Sequence, residues 1–138
     1  MTGLNINQIT IGQSASFSKT ITETDVYMFA GISGDLNPAH INEEYAKNTL
    51  FKGRIVHGML VSSLISAVLA MQLPGPGTIY LKQDLKFLAP VRISDTVTAT
   101  CTVTQKIDEK NRVVLDCMVT NQDGVTVISG EAMVMPPK

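Results

Sequence analysis

From Thr96 to Thr104 apolar and polar residues alternate strictly, with Val97, Ala99, Cys101 and Val103 on one side and five threonines on the other. That period of two is the pattern of a β-strand with one buried face. Val113, Leu115, Cys117 and Val119 repeat the pattern after a polar turn at residues 108–111, and residues 125–134 repeat it after Gln122-Asp123-Gly124. Antiparallel hairpins are therefore predicted. Residues 79–88 carry Ile79, Leu81, Leu85 and Phe87 on one face, interrupted by Gln83, and a short strand over 15–20 brings the count to five. Cys101 and Cys117 are equidistant from residue 109. They are expected to face each other across a hairpin as reduced core thiols.

The remaining apolar run has a different period. Residues 58–72 place Met59, Leu60, Val61, Leu64, Ile65, Val68 and Leu69 in helical spacing, closed by Leu73-Pro74-Gly75. Apolar groups lie on nearly every side, broken only by Ser62, Ser63 and Ser66, so this helix must be surrounded by protein. It is too short for a membrane span of ~20 residues. Residues 23–32 read as a shorter helix capped by Thr22 or Thr24, and residues 42–48 as another opened by Asn42. Between them Pro38 pushes Asn37 out of the helical region, so residues 35–40 read as a loop. The economical arrangement is an α+β fold in a single domain, 1–138, with an antiparallel sheet of about five strands wrapped around one long buried helix.

Composition narrows the function. Eleven basic against twelve acidic residues, with no basic cluster, exclude the footprint of a nucleic-acid binder. Only 17% of the 138 residues are charged, against a usual ~25%. Part of the surface is therefore expected to be covered by another subunit. Residues 1–13 carry no export signal, which predicts a cytoplasmic protein without membrane attachment. The two cysteines have neither metal-binding spacing nor nearby histidines, and no nucleophile elbow, phosphate-binding loop or dinucleotide fingerprint is present. No metal site is expected.

Two features exceed what packing needs. The first is the polar loop Ser33-Gly34-Asp35-Leu36-Asn37-Pro38-Ala39-His40. On an intact helix residues five apart point about 140° away from each other, and the break at Pro38 lets Asp35 and His40 converge. An imidazole and a carboxylate sharing a water are parts for acid–base chemistry. The same spacing also fits structural roles, with Asp35 capping a turn and His40 meeting a backbone carbonyl. The second feature is Val56-His57-Gly58-Met59 at the start of the buried helix, where no Ser, Thr, Asp or Asn caps the first N–H groups. A glycine there lets a ligand oxygen approach the positive end of the helix, which describes an oxyanion site. Water or a neighbouring loop would serve the same N–H groups.

Ser33 to His40, followed by Phe51 and Ile55-Val56-His57-Gly58-Met59-Leu60, resembles the motif of MaoC-like (R)-specific enoyl-CoA hydratases, the hydratase 2 family of the hot-dog fold. The resemblance covers the whole chain. It implies a homodimer in which Asp35 and His40 activate a water, Gly58 supplies the oxyanion N–H and Asn37 supports the loop; His57, at the helix entrance, reads separately as a packing or loop-orienting residue that supports the site. The resemblance further implies reversible hydration of a trans-2-enoyl thioester to the (3R)-3-hydroxyacyl form, with the acyl chain along the long helix beside Leu60, Ser62, Ser66 and Leu69. Coenzyme A belongs to the substrate, and no further cofactor is called for. The alternatives are a dehydratase acting on another acyl carrier, a hot-dog thioesterase, and a non-catalytic acyl-thioester-binding subunit.

Overall fold

The structure, a computed structural model, describes residues 2–138. Five strands form one antiparallel sheet: β1 (Ser14–Thr20), β2 (Ile79–Phe87), β3 (Thr96–Ile107), β4 (Arg112–Thr120) and β5 (Thr126–Met135), in the order β1-β3-β4-β5-β2. Four helices precede β2: α1 (Glu23–Ser33), the single turns α2 (Pro38–Ile41) and α3 (Glu43–Ala46), and the long α4 (Gly58–Met71). No helix among the described residues is long and apolar enough to cross a membrane.

The alternation in β3 is realised fully, its inward residues buried and its threonines facing out. Three outward hydroxyls pair across β1 and β3: Thr96 with Thr20 and Thr98 with Ser18 at 2.7 Å, and Thr102 with Ser14 at 2.9 Å. On the inner face Val97, Ala99, Cys101, Val103, Leu115, Cys117 and Val119 pack on Val61, Leu64, Ile65, Val68 and Leu69 of α4. Fully burying a side chain of this kind contributes about 1.5–3 kcal/mol, so the helix is held by its apolar surface. Cys101 and Cys117 are direct register partners, free and buried, with their sulfurs 3.7 Å apart. The hydrogen bond to Cys117 and burial push the Cys101 thiol pKa up and keep it protonated.

Three expectations change. Residues 38–41 are not loop but a turn of helix with Pro38 at its first position and Asn37 as its cap. Proline constrains the residue before it, and Asn37 is indeed extended (ψ 125°), while Pro38 itself is well placed to begin a helix. In β2 the register slips between Tyr80 and Lys82, so Leu81 is an extra residue. This bulge puts Tyr80 on the same side as Gln83 and Leu85, facing α4. Finally, α4 is not enclosed all round within one chain. Met59, Ser63, Ser66 and Ala70, spaced at three and four, form an exposed stripe next to the equally exposed β2.

At the N-terminus of α1 the Thr22 hydroxyl accepts from the Asp25 N–H at 3.1 Å while the Asp25 carboxylate accepts from the Thr22 N–H at 2.8 Å. Glu23 meets Arg54 at 2.6 Å. These contacts hold both carboxyls below their ordinary pKa, Glu23 chiefly through Arg54 and Asp25 chiefly through the Thr22 amide. A depressed carboxyl contributes stability that is complete above its unfolded pKa and lost as pH falls through the folded one. The thermal midpoint is therefore expected to fall below about pH 4, and a Glu23→Gln/Asp25→Asn double variant should show a shallower fall in a calorimetric pH series.

Candidate active site

The site begins where α1 ends. Gly34 adopts φ 79°, turning the chain out of the helix. The Asp35 N–H then donates to Ser33 Oγ at 3.1 Å, Asp35 Oδ1 accepts from the Asn37 N–H at 3.2 Å, and Asn37 Oδ1 accepts from the Ala39 N–H at 3.0 Å. These short side-chain-to-backbone turns set the path of the loop. One carboxylate oxygen of Asp35 is thus occupied by the turn. The other, Oδ2, is 3.9 Å from His40 Nε2.

His40 is set from the opposite side. Its Nδ1 is 2.8 Å from the carbonyl oxygen of Ile55. A carbonyl only accepts, so Nδ1 donates to it, and Nε2 is the nitrogen that faces Asp35. Both structural roles that the spacing allowed, Asp35 in a turn and His40 on a carbonyl, are therefore present. They turn the two groups toward each other. A water at ordinary hydrogen-bond distance, ~2.8 Å, from both polar atoms fits across a 3.9 Å gap.

His57 is sealed in, with 1% of its surface exposed. Its Nε2 lies 3.0 Å from the main-chain oxygen of Asp35, its Nδ1 has no partner, and its ring centroid is 3.9 Å from that of His40, at 30° between planes, and 4.9 Å from that of Phe29, which is tilted by 58°. Immediately after it α4 starts without a side-chain cap. The first intrahelical bond is from the Val61 N–H to the His57 carbonyl at 3.2 Å, so the Gly58, Met59 and Leu60 N–H groups precede the helical ladder. Asp35, His40, His57 and Gly58 all line one cavity of about 500 Å³, closed by Phe51, Ile55, Val61, Phe87 and Ile128.

The residues expected along the acyl chain divide. Ser62 and Ser66 line a second hollow of about 530 Å³ with Phe29, Met59, Ser63, Tyr80, Gln83 and Leu85. Met59 borders both hollows. Leu60 and Leu69 line neither: Leu60 packs partly buried on the core, and Leu69 is buried within it. Ser62 and Ser63 bond back to the carbonyls of Met59 and Leu60 at 2.9 and 2.6 Å. Sequence reasoning missed Tyr80, because the bulge that turns it inward leaves no mark in the apolar pattern. It also missed Phe87, whose ring lies over the Cα of Gly58.

The fold also gathers a set that the sequence spacing did not show. Asp35, His40 and His57 bring potential metal-ligand atoms within 4.8 Å of one another. One nitrogen of each ring is bonded to a main-chain carbonyl, which leaves His40 Nε2 and His57 Nδ1 as the remaining ring nitrogens.

Comparison with known proteins finds relatives along nearly the whole chain. The chain is 60% identical over 126 residues to an (R)-specific enoyl-CoA hydratase of Rhodospirillum rubrum, covering 91% of this chain and 87% of that protein. It is 44% identical over 135 residues to a 3-hydroxybutyryl-CoA dehydratase of Methylorubrum extorquens, covering 98% and 85%. The unliganded R-hydratase PhaJ1 of Pseudomonas aeruginosa superposes with a TM-score of 0.93 at 44% identity, over 99% of this chain and 88% of that one. The family model for MaoC like domains matches residues 7–124, and the chain belongs to that family, with the hot-dog arrangement of sheet and helix.

Proposed function

We propose that this protein is a hydro-lyase that adds water to trans-2-enoyl-CoA, giving (3R)-3-hydroxyacyl-CoA, and dehydrates the product in the reverse direction. The observation that carries the reading is the convergence of His40 Nε2 and Asp35 Oδ2, 3.9 Å apart, in the same cavity wall as the uncapped start of α4. The hydratase and dehydratase names of the relatives support it.

In this mechanism the thioester oxygen lies at the Gly58 N–H, where negative charge develops as the water oxygen bonds to C3. A preorganised donor of this kind lowers the barrier by about 2.7–4 kcal/mol. The water gives its proton to the Asp35–His40 pair, and a proton passes to C2 on the same face. Electrons flow into the thioester, so the reaction calls on no metal or redox cofactor. Coenzyme A enters as part of the substrate, and the acyl chain follows α4 past Ser62 and Ser66. The test is the loss of enoyl absorbance from crotonyl-CoA, with chiral analysis of the product and titration of free thiol. An unchanged absorbance, or thiol release in its place, sinks the reading.

The quaternary state belongs to the same reading. The exposed stripe of α4 lies beside the free edge strand β2, on which Ile79 and Leu81 are each more than 40% exposed. Edge strands of this kind are usually covered, and a second copy related by a two-fold axis would cover this one. Light scattering should give a mass near twice 14.9 kDa. A fully active monomer at micromolar concentration would overturn the dimer. The free thiols of Cys101 and Cys117 fit a reducing, cytoplasmic setting.

A further inference from the structure

His57 fills a position where packing alone favours another residue. It is buried between Phe29 and His40, with ring centroids 4.9 and 3.9 Å away, inside an apolar neighbourhood that includes Val56 and Val61. Its Nδ1 is buried without a partner. A buried polar atom left unpaired is destabilising, and a phenylalanine of similar shape would remove that cost. What phenylalanine lacks is the other nitrogen: Nε2 donates to the main-chain oxygen of Asp35 at 3.0 Å.

That bond acts where the loop is least constrained. The Asp35 side chain is 49% exposed and its carboxylate is bound only to the local turn at Asn37. His40, in contrast, is nearly buried and tied to Ile55. The separation between Asp35 Oδ2 and His40 Nε2 thus depends on where the Asp35 backbone sits, and His57 is the buried side chain that bonds that backbone while stacking on the His40 ring. We infer that His57 is a positioning residue: it couples the Asp35 loop to the His40 ring and so sets the gap in which the water is held. This inference rests on Asp35 and His40 acting as the pair proposed above.

The argument specifies which nitrogen matters. A glutamine amide reaches the place of the histidine Nε2, whereas an asparagine amide reaches only that of Nδ1. With His57→Phe, kcat on crotonyl-CoA should fall on the order of 10- to 100-fold, the scale of an ångström-sized misplacement. KM should change little, because the thioester contacts remain. The thermal midpoint should stay close to that of the wild type, since loss of the unpaired nitrogen offsets loss of the bond to the Asp35 carbonyl. His57→Gln should restore most of kcat, and His57→Asn should not. Should His57→Phe fail to fold, the Gln and Asn variants decide the matter between them.

Three results would overturn the inference: wild-type kcat in the folded Phe variant, equal kcat in the Gln and Asn variants, or a loss confined to KM. Each leaves the hydratase reading intact as long as the wild type hydrates crotonyl-CoA and Asp35→Asn does not. Failure of the wild type itself would instead remove the reading on which His57 depends.

Discussion

Asp35→Asn and His40→Ala should each lower kcat on crotonyl-CoA by at least ~10²-fold, the low end for loss of a positioned acid–base group. The Asp35 change is clean for a structural reason. Asparagine keeps an oxygen for the Asn37 N–H that Asp35 Oδ1 now accepts, so the turn survives while the charge facing His40 is lost. His40→Ala removes two things at once, the Nε2 that faces Asp35 and the Nδ1 bond to Ile55. His40→Asn separates them, because its amide can still donate toward Ile55 but offers nothing at Nε2. The Asn variant should therefore fold like the wild type and be as inactive as the Ala variant. Because both groups handle one water, the double variant should be far less impaired than the product of the single losses. Activity within tenfold of wild type in Asp35→Asn or His40→Asn, with an unchanged thermal midpoint, would remove these residues from the chemistry.

Much of this site could be read from the chain because its parts are local. Asp35, Asn37 and His40 lie within six positions, and the demand that Pro38 places on Asn37 is a property of the dipeptide. The strict alternation of β3 and the near-symmetry of Cys101 and Cys117 about residue 109 likewise specify a register before any tertiary contact is known, and the structure pairs those cysteines directly. Features that depend on distant segments were not legible. The bulge at Leu81 is imposed by pairing with β5. The stack of Phe29, His57 and His40 joins three segments. The apolar excess of α4 was legible as a demand for surrounding protein, and one stripe of the helix faces outward beside β2. Apolar periodicity reports that a surface is kept from water, and it carries no information about whether the cover comes from the same chain.

Gly58→Ala and Gly58→Val should lose kcat/KM in order of side-chain size, the alanine by about 10²-fold if its methyl shifts the thioester by on the order of 1 Å. The N–H itself survives either change, so the loss would measure how closely the substrate must approach the backbone. The structure adds a competing cause. A Cβ at residue 58 would stand 2.6 Å from Cε1 of Phe87, and that ring must move. Phe87 is 54% exposed, so it can swing toward solvent at far less than the 1–3 kcal/mol typical of overpacking a closed core. The thermal midpoint of Gly58→Ala should accordingly stay near that of the wild type. The displaced ring could still block the cavity that Phe87 lines. Removing the ring separates the two causes. If the Gly58 amide binds the thioester oxygen, Gly58→Ala/Phe87→Ala should remain as impaired relative to Phe87→Ala as Gly58→Ala is relative to wild type. If the ring is the obstacle, truncating Phe87 should abolish the penalty at residue 58. Recovery in that double variant, measured as kcat/KM on crotonyl-CoA, would place the harm in Phe87 and deprive Gly58 of its oxyanion role.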